Sequence, residues 1–247
     1  MRPSGAAAVI IGNEVLSAKV EDQNGPHLIR RLRERGVPLR HLAMVPDEVD
    51  AIVEALTVAR RHARYVFTSG GIGPTHDDVT VRAVALALGK PVVRLPEVEA
   101  LLRQHYGEKP PAAALRLAEA PMGTELLFQE GIWYPVLVCD ELFLLPGVPQ
   151  LFRQQLEAVL PRIVGVPVVV RCLYLAAQEA EIAHVLDRVA LAMPKVQIGS
   201  YPTLDRDAGY KVKVTVEHSD AGLVDEVVAQ LTAALPPGSV QRVDEAR

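Results

Sequence analysis

The sequence predicts an α/β protein, with a mostly parallel sheet between two layers of helices and then a second, smaller α+β domain. Three observations carry this. Short apolar runs alternate with amphipathic helical patterns along the first part of the chain, the order that builds a parallel sheet. The first run, 6–11, is Ala-Ala-Ala-Val-Ile-Ile, apolar throughout, as in a strand covered on both faces. After Gly165-Val166-Pro167 the pattern restarts in a different order, which sets domains at 1–165 and 166–247.

Each element has a local reason. After strand 6–11, residues 23–35 form a helix with Leu28, Ile29 and Leu32 inward and Gly36 as its stop. Strand 39–45 ends at Pro46-Asp47-Glu48, which opens a helix with Val49, Ile52, Val53 and Leu56 on one face and Asp47 as its N-cap. Residues 65–68 are the third strand, and 78–88 the helix after a glycine loop, closed by Gly89. Residues 96–106 form a further helix, and between 107 and 131 the pattern weakens into loop and short strand. Segments 134–139 and 141–145 make two strands around a tight turn, an antiparallel addition to the sheet, and 150–160 is a helix. The second domain reads as β-α-β-β-α: strand 168–175, helix 179–191 with Ile182, Val185, Leu186 and Val189 inward, strands 196–201 and 210–217, and helix 221–235. Lysine and valine alternate over 211–214, so that sheet keeps one wet face.

Composition narrows the function. Among 247 residues, 26 Lys and Arg stand against 30 Asp and Glu, a net charge of −4, with 4% aromatics. No basic stripe interleaves with aromatics, so nucleic acid is not an expected partner. The basic run 30–35 falls near the C-terminus of an amphipathic helix, where cations suit the dipole. No segment reaches the ~18 apolar residues of a membrane span. The N-terminal apolar run stops at Gly12-Asn13-Glu14, too early for a secretory leader with its cleavage site. Cys139 and Cys172 lie in strand-like apolar runs and form no metal motif, so they are read as buried free thiols. The expected location is cytoplasmic.

The chemistry concentrates in Thr68-Ser69-Gly70-Gly71-Ile72-Gly73-Pro74-Thr75-His76-Asp77-Asp78-Val79-Thr80. Three glycines allow close backbone approach to a ligand, and free N–H groups beside a helix N-terminus form an anion cradle. Two adjacent carboxylates at the edge of that cradle point to a phosphorylated ligand bridged by a divalent metal. Ligands in open α/β sheets bind beyond the carboxyl ends of the strands. Gly12-Asn13-Glu14, Pro46-Asp47-Glu48, Gly70–Asp78 and Pro146-Gly147-Val148-Pro149 all satisfy that condition. Candidate catalytic residues are Asp47, Asp77 and Asp78, and candidate metal ligands are Glu14, Asp77 and Asp78. Candidate phosphate or nucleotide contacts are Gly12, Asn13, Ser69, Gly70, Gly71, Gly73, Pro74, Thr75, Thr80, Gly147 and Pro149.

Each also has a plainer reading. Asp47 and Asp78 suit helix caps, Thr75 and Thr80 local turn hydroxyls, and the 146–149 turn a simple connector. His76 is considered as an acid or base, while Trp133 and Tyr134 are expected to be buried at a sheet edge rather than stacked on a ligand. No Gly-x-Ser-x-Gly elbow, Cys/His pairing or Walker A lysine is present, so covalent nucleophilic catalysis is unsupported.

The glycine loop, with Ile11-Gly12-Asn13-Glu14-Val15-Leu16, Asp22-Gln23-Asn24 and Leu145-Pro146-Gly147-Val148-Pro149, resembles the molybdopterin-binding domain superfamily. Within it the chain is similar to the N-terminal domain of the competence/damage-inducible protein family. It is closer still to the front domain of eukaryotic FAD synthase, through Val45-Pro46-Asp47-Glu48-Val49, Gly199-Ser200-Tyr201-Pro202 and Leu235-Pro236-Pro237-Gly238-Ser239. The resemblance implies a molybdopterin-binding type of α/β domain over about the first 165 residues and a small α/β domain after it. It implies a metal-dependent nucleotide pyrophosphatase, using Mg, Mn or Co, that cleaves ADP-ribose, FAD or a related dinucleotide to AMP. The alternatives it leaves are a molybdopterin-binding adenylyltransferase and a nucleotide-binding module without catalysis. By motif position Asp47 and Asp78 match the adenylyltransferase acids, and Asp77 and Asp78 the acidic pair of the pyrophosphatase branch. Ile72 stands where adenylyltransferases carry Thr, Asn13 where competence-type members carry Thr, and Ala18 where Gly is common. Stretch 112–119 lacks the Asn and Arg/Lys pattern of the competence type. A nucleotide or pterin is the implied small-molecule partner, and a homo-oligomer, dimer or trimer, the implied assembly.

Overall fold

The computed structural model describes residues 4–205 and 207–246. The chain divides into two compact units, Met1–Gly165 and Val166–Arg247.

The first unit runs β1 (Ala6–Ile11), α1 (Asn13–Leu16), α2 (Asn24–Glu34), β2 (Leu39–Val45), α3 (Val49–His62), β3 (Tyr65–Ser69), α4 (Thr80–Leu88), β4 (Val92–Arg94) and α5 (Pro96–Tyr106). It continues through a 3-10 turn at Ala114–Ala118, β5 (Glu119–Pro121), β6 (Glu125–Leu127), β7 (Val136–Cys139), β8 (Leu142–Leu145) and α6 (Pro149–Val159). Six strands form one sheet in the order β2-β1-β3-β8-β7-β6. β2, β1, β3 and β8 are parallel, whereas β7 and β6 are antiparallel to their neighbours. β4 and β5 form a separate antiparallel pair.

Alternation along β1 divides the core between the two faces. Ala6 and Ala8 pack with Phe67, Leu28, Leu32, Phe152 and Leu156, on the side of α2 and α6. Ala7, Val9 and Ile11 pack with Val66, Ile52, Leu56, Ala83 and Val84, on the side of α3 and α4. This is the α/β class predicted, with helices on both faces.

Local details differ from the sequence reading. The buried stripe of α2 is Asn24, Gly25, Leu28 and Leu32, which leaves Ile29 39% exposed on the neighbouring face. α3 starts at Val49 after an extended Glu48, with no side-chain cap. Asp47 is not its N-cap, because a tertiary partner claims the carboxylate. α4 starts at Thr80, two residues past Asp78. The short α1 and β4 carry too little pattern to be read from sequence.

The second unit runs β9 (Val169–Leu175), α7 (Glu179–Ala192), β10 (Gln197–Pro202), β11 (Val212–His218), α8 (Ala221–Ala234) and β12 (Val240–Ala246). Its sheet, β10-β11-β9-β12, is antiparallel throughout. Val212, Val214 and Val216 pack with Leu173, Leu175, Ile182, Val185, Val224 and Leu231. Lys213 faces away from that core, as the alternation requires. β12 is an addition to the predicted order. It is an edge strand carrying Arg242, Asp244 and Glu245, whose charges hide its pairing with β9 from a pattern reading.

Candidate functional site

The site forms where the parallel strands end. β1 lies between β2 and β3, so the chain leaves it to opposite sides of the sheet, the switch point at which ligands enter open α/β folds. A cavity of about 420 Å³ opens there. Of the predicted site residues, Glu14, Asp47, Gly70, Gly71, Gly73, Asp77, Asp78 and Gly147 line it.

The glycine loop is built for close approach. Gly70 has φ +106°, and a Cβ there would meet the Ile11 carbonyl oxygen at 2.2 Å. Its own amide donates to the Leu145 carbonyl (3.0 Å), tying the loop to β8. The amides of Gly71, Ile72 and Gly73 donate to no protein acceptor among the described residues. At Gly73 a Cβ would come within 2.6 Å of an Asp78 carboxylate oxygen, so only glycine lets that acid lie against the loop.

The carboxylates are held from behind. The Asn13 amide donates to Asp47 Oδ2 at 2.8 Å. The Thr75 amide donates to Asp78 Oδ2 at 2.7 Å, and the Thr75 hydroxyl donates to the same oxygen. The Asp77 carboxyl is kept below the usual carboxylate range, first by the Thr75 hydroxyl and then by its own backbone amide, with His76 and Arg116 adding attraction. One hydroxyl proton serves one acceptor at a time, and the geometry directs that of Thr75 to Asp78. His76 is 97% exposed, its Nδ1 3.9 Å from Asp77 Oδ1.

The remaining predicted residues frame the cavity without lining it. Ser69 is buried and accepts from Asn24 Nδ2 at 2.9 Å, and the same nitrogen donates to the Gly147 carbonyl at 2.8 Å. Asn24 thus ties the 70–73 loop to the 146–149 turn. Thr80 is fully buried and its hydroxyl donates to the Gly70 carbonyl at 2.9 Å, which shapes the loop. The Gly12 amide donates to Val45 (3.1 Å), Pro149 is the first residue of α6, and the Pro74 carbonyl faces Arg116.

The other wall is apolar and aromatic: Ile132, Trp133, Tyr134, Val148 and Leu151, with the buried Gln155. Trp133 is 39% exposed and lines the cavity, so the expectation of edge burial fails for it. It stacks on His105 at 4.2 Å between ring centroids. Tyr134 donates to the Leu117 carbonyl at 2.8 Å, and burial pushes its phenol pKa up, so it stays neutral. Gln155 Nε2 donates to the Tyr134 carbonyl at 2.9 Å and fixes this wall. Sequence reasoning missed Gln155 because its signal is a polar residue on the buried stripe of α6, beside Phe152, Leu156 and Val159.

The candidate metal donors that line this cavity are all oxygens of the type that holds a divalent ion. Four carboxylates face one cavity, and hard oxygens suit magnesium or manganese. Among the described residues no three His, Cys, Asp or Glu side chains converge into a ready-made cage. The set therefore fits an ion held by one or two carboxylates and completed by a ligand's phosphates.

Comparison with known proteins follows the same division. Residues 7–164 match the model described as a probable molybdopterin-binding domain, and residues 167–244 that of the middle domain of FAD synthase. A CinA-like protein of Myxococcus xanthus is 37% identical, over 62% of this chain and 38% of its own length. A probable FAD synthase of Caenorhabditis elegans is 27% identical, over 93% of this chain and 50% of its own. The chain thus spans half or less of those two relatives. The crystal structure of CinA from Thermoplasma acidophilum, a protein of unknown function, aligns with a TM-score of 0.62 at 28% identity, over 65% of this chain and 98% of the other. Among the described residues no helix is long and apolar enough to cross a membrane. The chain belongs to the probable molybdopterin-binding domain family, with a second unit similar to the middle domain of FAD synthase.

Proposed function

We propose that the first unit is a metal-dependent nucleotide diphosphate hydrolase that cleaves ADP-ribose, FAD or a related dinucleotide at the pyrophosphate and releases AMP. One observation carries the reading: three loop amides, Gly71 to Gly73, with no protein acceptor among the described residues, share a cavity with Glu14, Asp47, Asp77 and Asp78, opposite an aromatic wall. Amides call for an anion, and the wall calls for a ring. Four carboxylates would repel a diphosphate unless a cation stands between them. Mg²⁺, Mn²⁺ or Co²⁺ held by one or two of Asp77, Asp78 and Glu14, and completed by the ligand's phosphates, would neutralise those phosphates and acidify a bound water. Asp47, held by Asn13, would order that water, the loop amides would bind phosphate oxygens, and Trp133 and Tyr134 would orient the base.

The test is AMP release from ADP-ribose and from FAD by purified protein with each metal in turn. Metal-dependent release supports the proposal, and no release with any of the three overturns it. The match of residues 7–164 to a molybdopterin-binding domain favours a second reading, adenylylation of molybdopterin, which requires both ATP and pterin. A nucleotide-binding module without turnover is the third. We take the protein to be a cytoplasmic homo-oligomer, dimer or trimer; light scattering of the purified protein tests the assembly.

A further inference from the structure

A second cavity, also of about 420 Å³, lies on the far side of Asp78. The two cavities share walls at Ile72, Gly73, Asp78, Leu117 and Tyr134, so they meet at the glycine loop. Their charge differs. The first has four carboxylates and no basic side chain, whereas the second adds Arg82, Arg116 and Glu119 to a floor of Val81 and Val92.

Arg116 stands out. It comes from the 3-10 turn Ala114–Ala118 and is half-buried. Its two Nη atoms lie 3.4 Å from the Pro74 carbonyl and 3.5 Å from the Asp78 carbonyl, at the long edge of hydrogen bonding. No carboxylate pairs with it among the described residues. A half-buried guanidinium with loose backbone contacts keeps its planar donor fork available, and that fork matches phosphate. Glu119, at the start of β5, lines the same cavity, and its carboxylate can accept hydrogen bonds from ligand hydroxyls.

We propose that the two cavities form one bipartite site for a two-armed diphosphate. The AMP half occupies the aromatic cavity, and the second phosphate with its hydroxyl-bearing arm occupies the other, bound by Arg116 and Glu119. The substrate class rests on the hydrolase reading above. Water's oxygen bonds to the AMP-side phosphorus while the bond from that phosphorus to the bridging oxygen breaks. The bridging oxygen keeps the electron pair and leaves on the second phosphate, against Arg116. One water proton ends on each monoester, so atoms and charge balance. A diphosphate with a single arm fills only the phosphate end of the second cavity and binds less tightly.

The test uses the full chain with Mg²⁺, AMP, ADP and the methylene-bridged analogue of ADP-ribose, which cannot be cleaved. Binding is read from Trp133 fluorescence, and turnover is measured separately with ADP-ribose. Wild type is expected to bind the analogue roughly 10-fold or more tighter than AMP, from one added charge-assisted contact. Arg116→Ala should erase that preference and lower kcat/KM for ADP-ribose roughly 10- to 100-fold, with part returned by Arg116→Lys. Glu119→Gln should lower analogue affinity while the affinity for ADP changes least. Hydrolysis in ¹⁸O-water should label AMP and leave the other monoester unlabelled. An Arg116→Ala protein with the wild-type preference, or label in the other monoester, would overturn the bipartite site while sparing the hydrolase. An Arg116-dependent preference without turnover would retain the bipartite site and remove the hydrolase. A protein that binds neither ligand would overturn both.

Discussion

Replacing Asn24 by alanine tests how the two loops of the site are joined. Asn24 is 3% exposed, and its Nδ2 donates to Ser69 Oγ at 2.9 Å and to the Gly147 carbonyl at 2.8 Å. Ser69 keeps a weak alternative, its hydroxyl lying 3.4 Å from the Pro146 carbonyl, so losing its bond costs about 1 kcal/mol. The Gly147 carbonyl loses a buried donor, which costs about 1–3 kcal/mol. Together Asn24→Ala should destabilise the first unit by about 2–4 kcal/mol, or roughly 4–16 °C in Tm for a unit of this size. The loops should also loosen, because the Gly70 amide on the Leu145 carbonyl (3.0 Å) and the long Ser69–Pro146 contact (3.4 Å) are then left to join them. The assay is urea unfolding and nucleotide titration followed by fluorescence. The chain has one tryptophan, Trp133, which lies in the first unit and lines the cavity, so a single signal reports both. Asn24→Asp, which cannot donate and places a charge against two acceptors, should do worse than alanine. A loss below about 0.5 kcal/mol with unchanged nucleotide affinity would refute the reasoning.

Further outcomes follow from single features. Gly73→Ala should cut turnover at least about 10-fold while changing stability by under about 1 kcal/mol, because the Cβ displaces the end of a carboxylate rather than backbone; paired kinetics and unfolding curves check this. Ala18 holds φ +55°, a left-handed conformation, so Ala18→Gly should raise stability by about 0.5–1 kcal/mol in urea unfolding. His27 has its pKa lowered by burial and then by Arg153, Arg30 and Arg31, so the unfolded chain binds its proton first. Stability should therefore fall as pH drops below the ordinary histidine value of 6.5, and His27→Gln should flatten that part of a urea-midpoint profile. Without a cage of three ligands, Mn²⁺ should bind weakly alone and at least about 10-fold tighter with nucleotide, as electron spin resonance titration would show.

How much of this was legible depended on distance along the chain. The parallel sheet could be read from β1, because a six-residue apolar run has few other uses. The grouping of Glu14, Asp47, Gly70 to Asp78 and Gly147 followed from strand ends, since parallel neighbours bring their C-terminal loops to one edge. Asp47 shows the limit. Its position before a helix indicates a cap, but the Asn13 amide, 34 residues away in sequence, is its partner, and no local rule reveals that. Thr80 likewise looks available in a glycine loop, yet its hydroxyl closes on Gly70 in the interior. Arg116 and Gln155 were missed because they reach the site from a 3-10 turn and a helix far along the chain, where periodicity is weak or marks only burial, whereas Trp133 was read as buried because aromatic residues beside a strand ordinarily are. The edge strand β12 was missed because its charges mask alternation.

The central claim is that the glycine loop and its carboxylates hydrolyse a nucleotide diphosphate. AMP release from ADP-ribose by wild type and Asp78→Ala, side by side with Mg²⁺ or Mn²⁺, tests it most directly. The expected result is metal-dependent release by wild type and a loss of about 100-fold or more in the variant, with an unfolding free energy from urea within about 1 kcal/mol of wild type. Full hydrolysis by Asp78→Ala, or none by wild type with either metal, would contradict it.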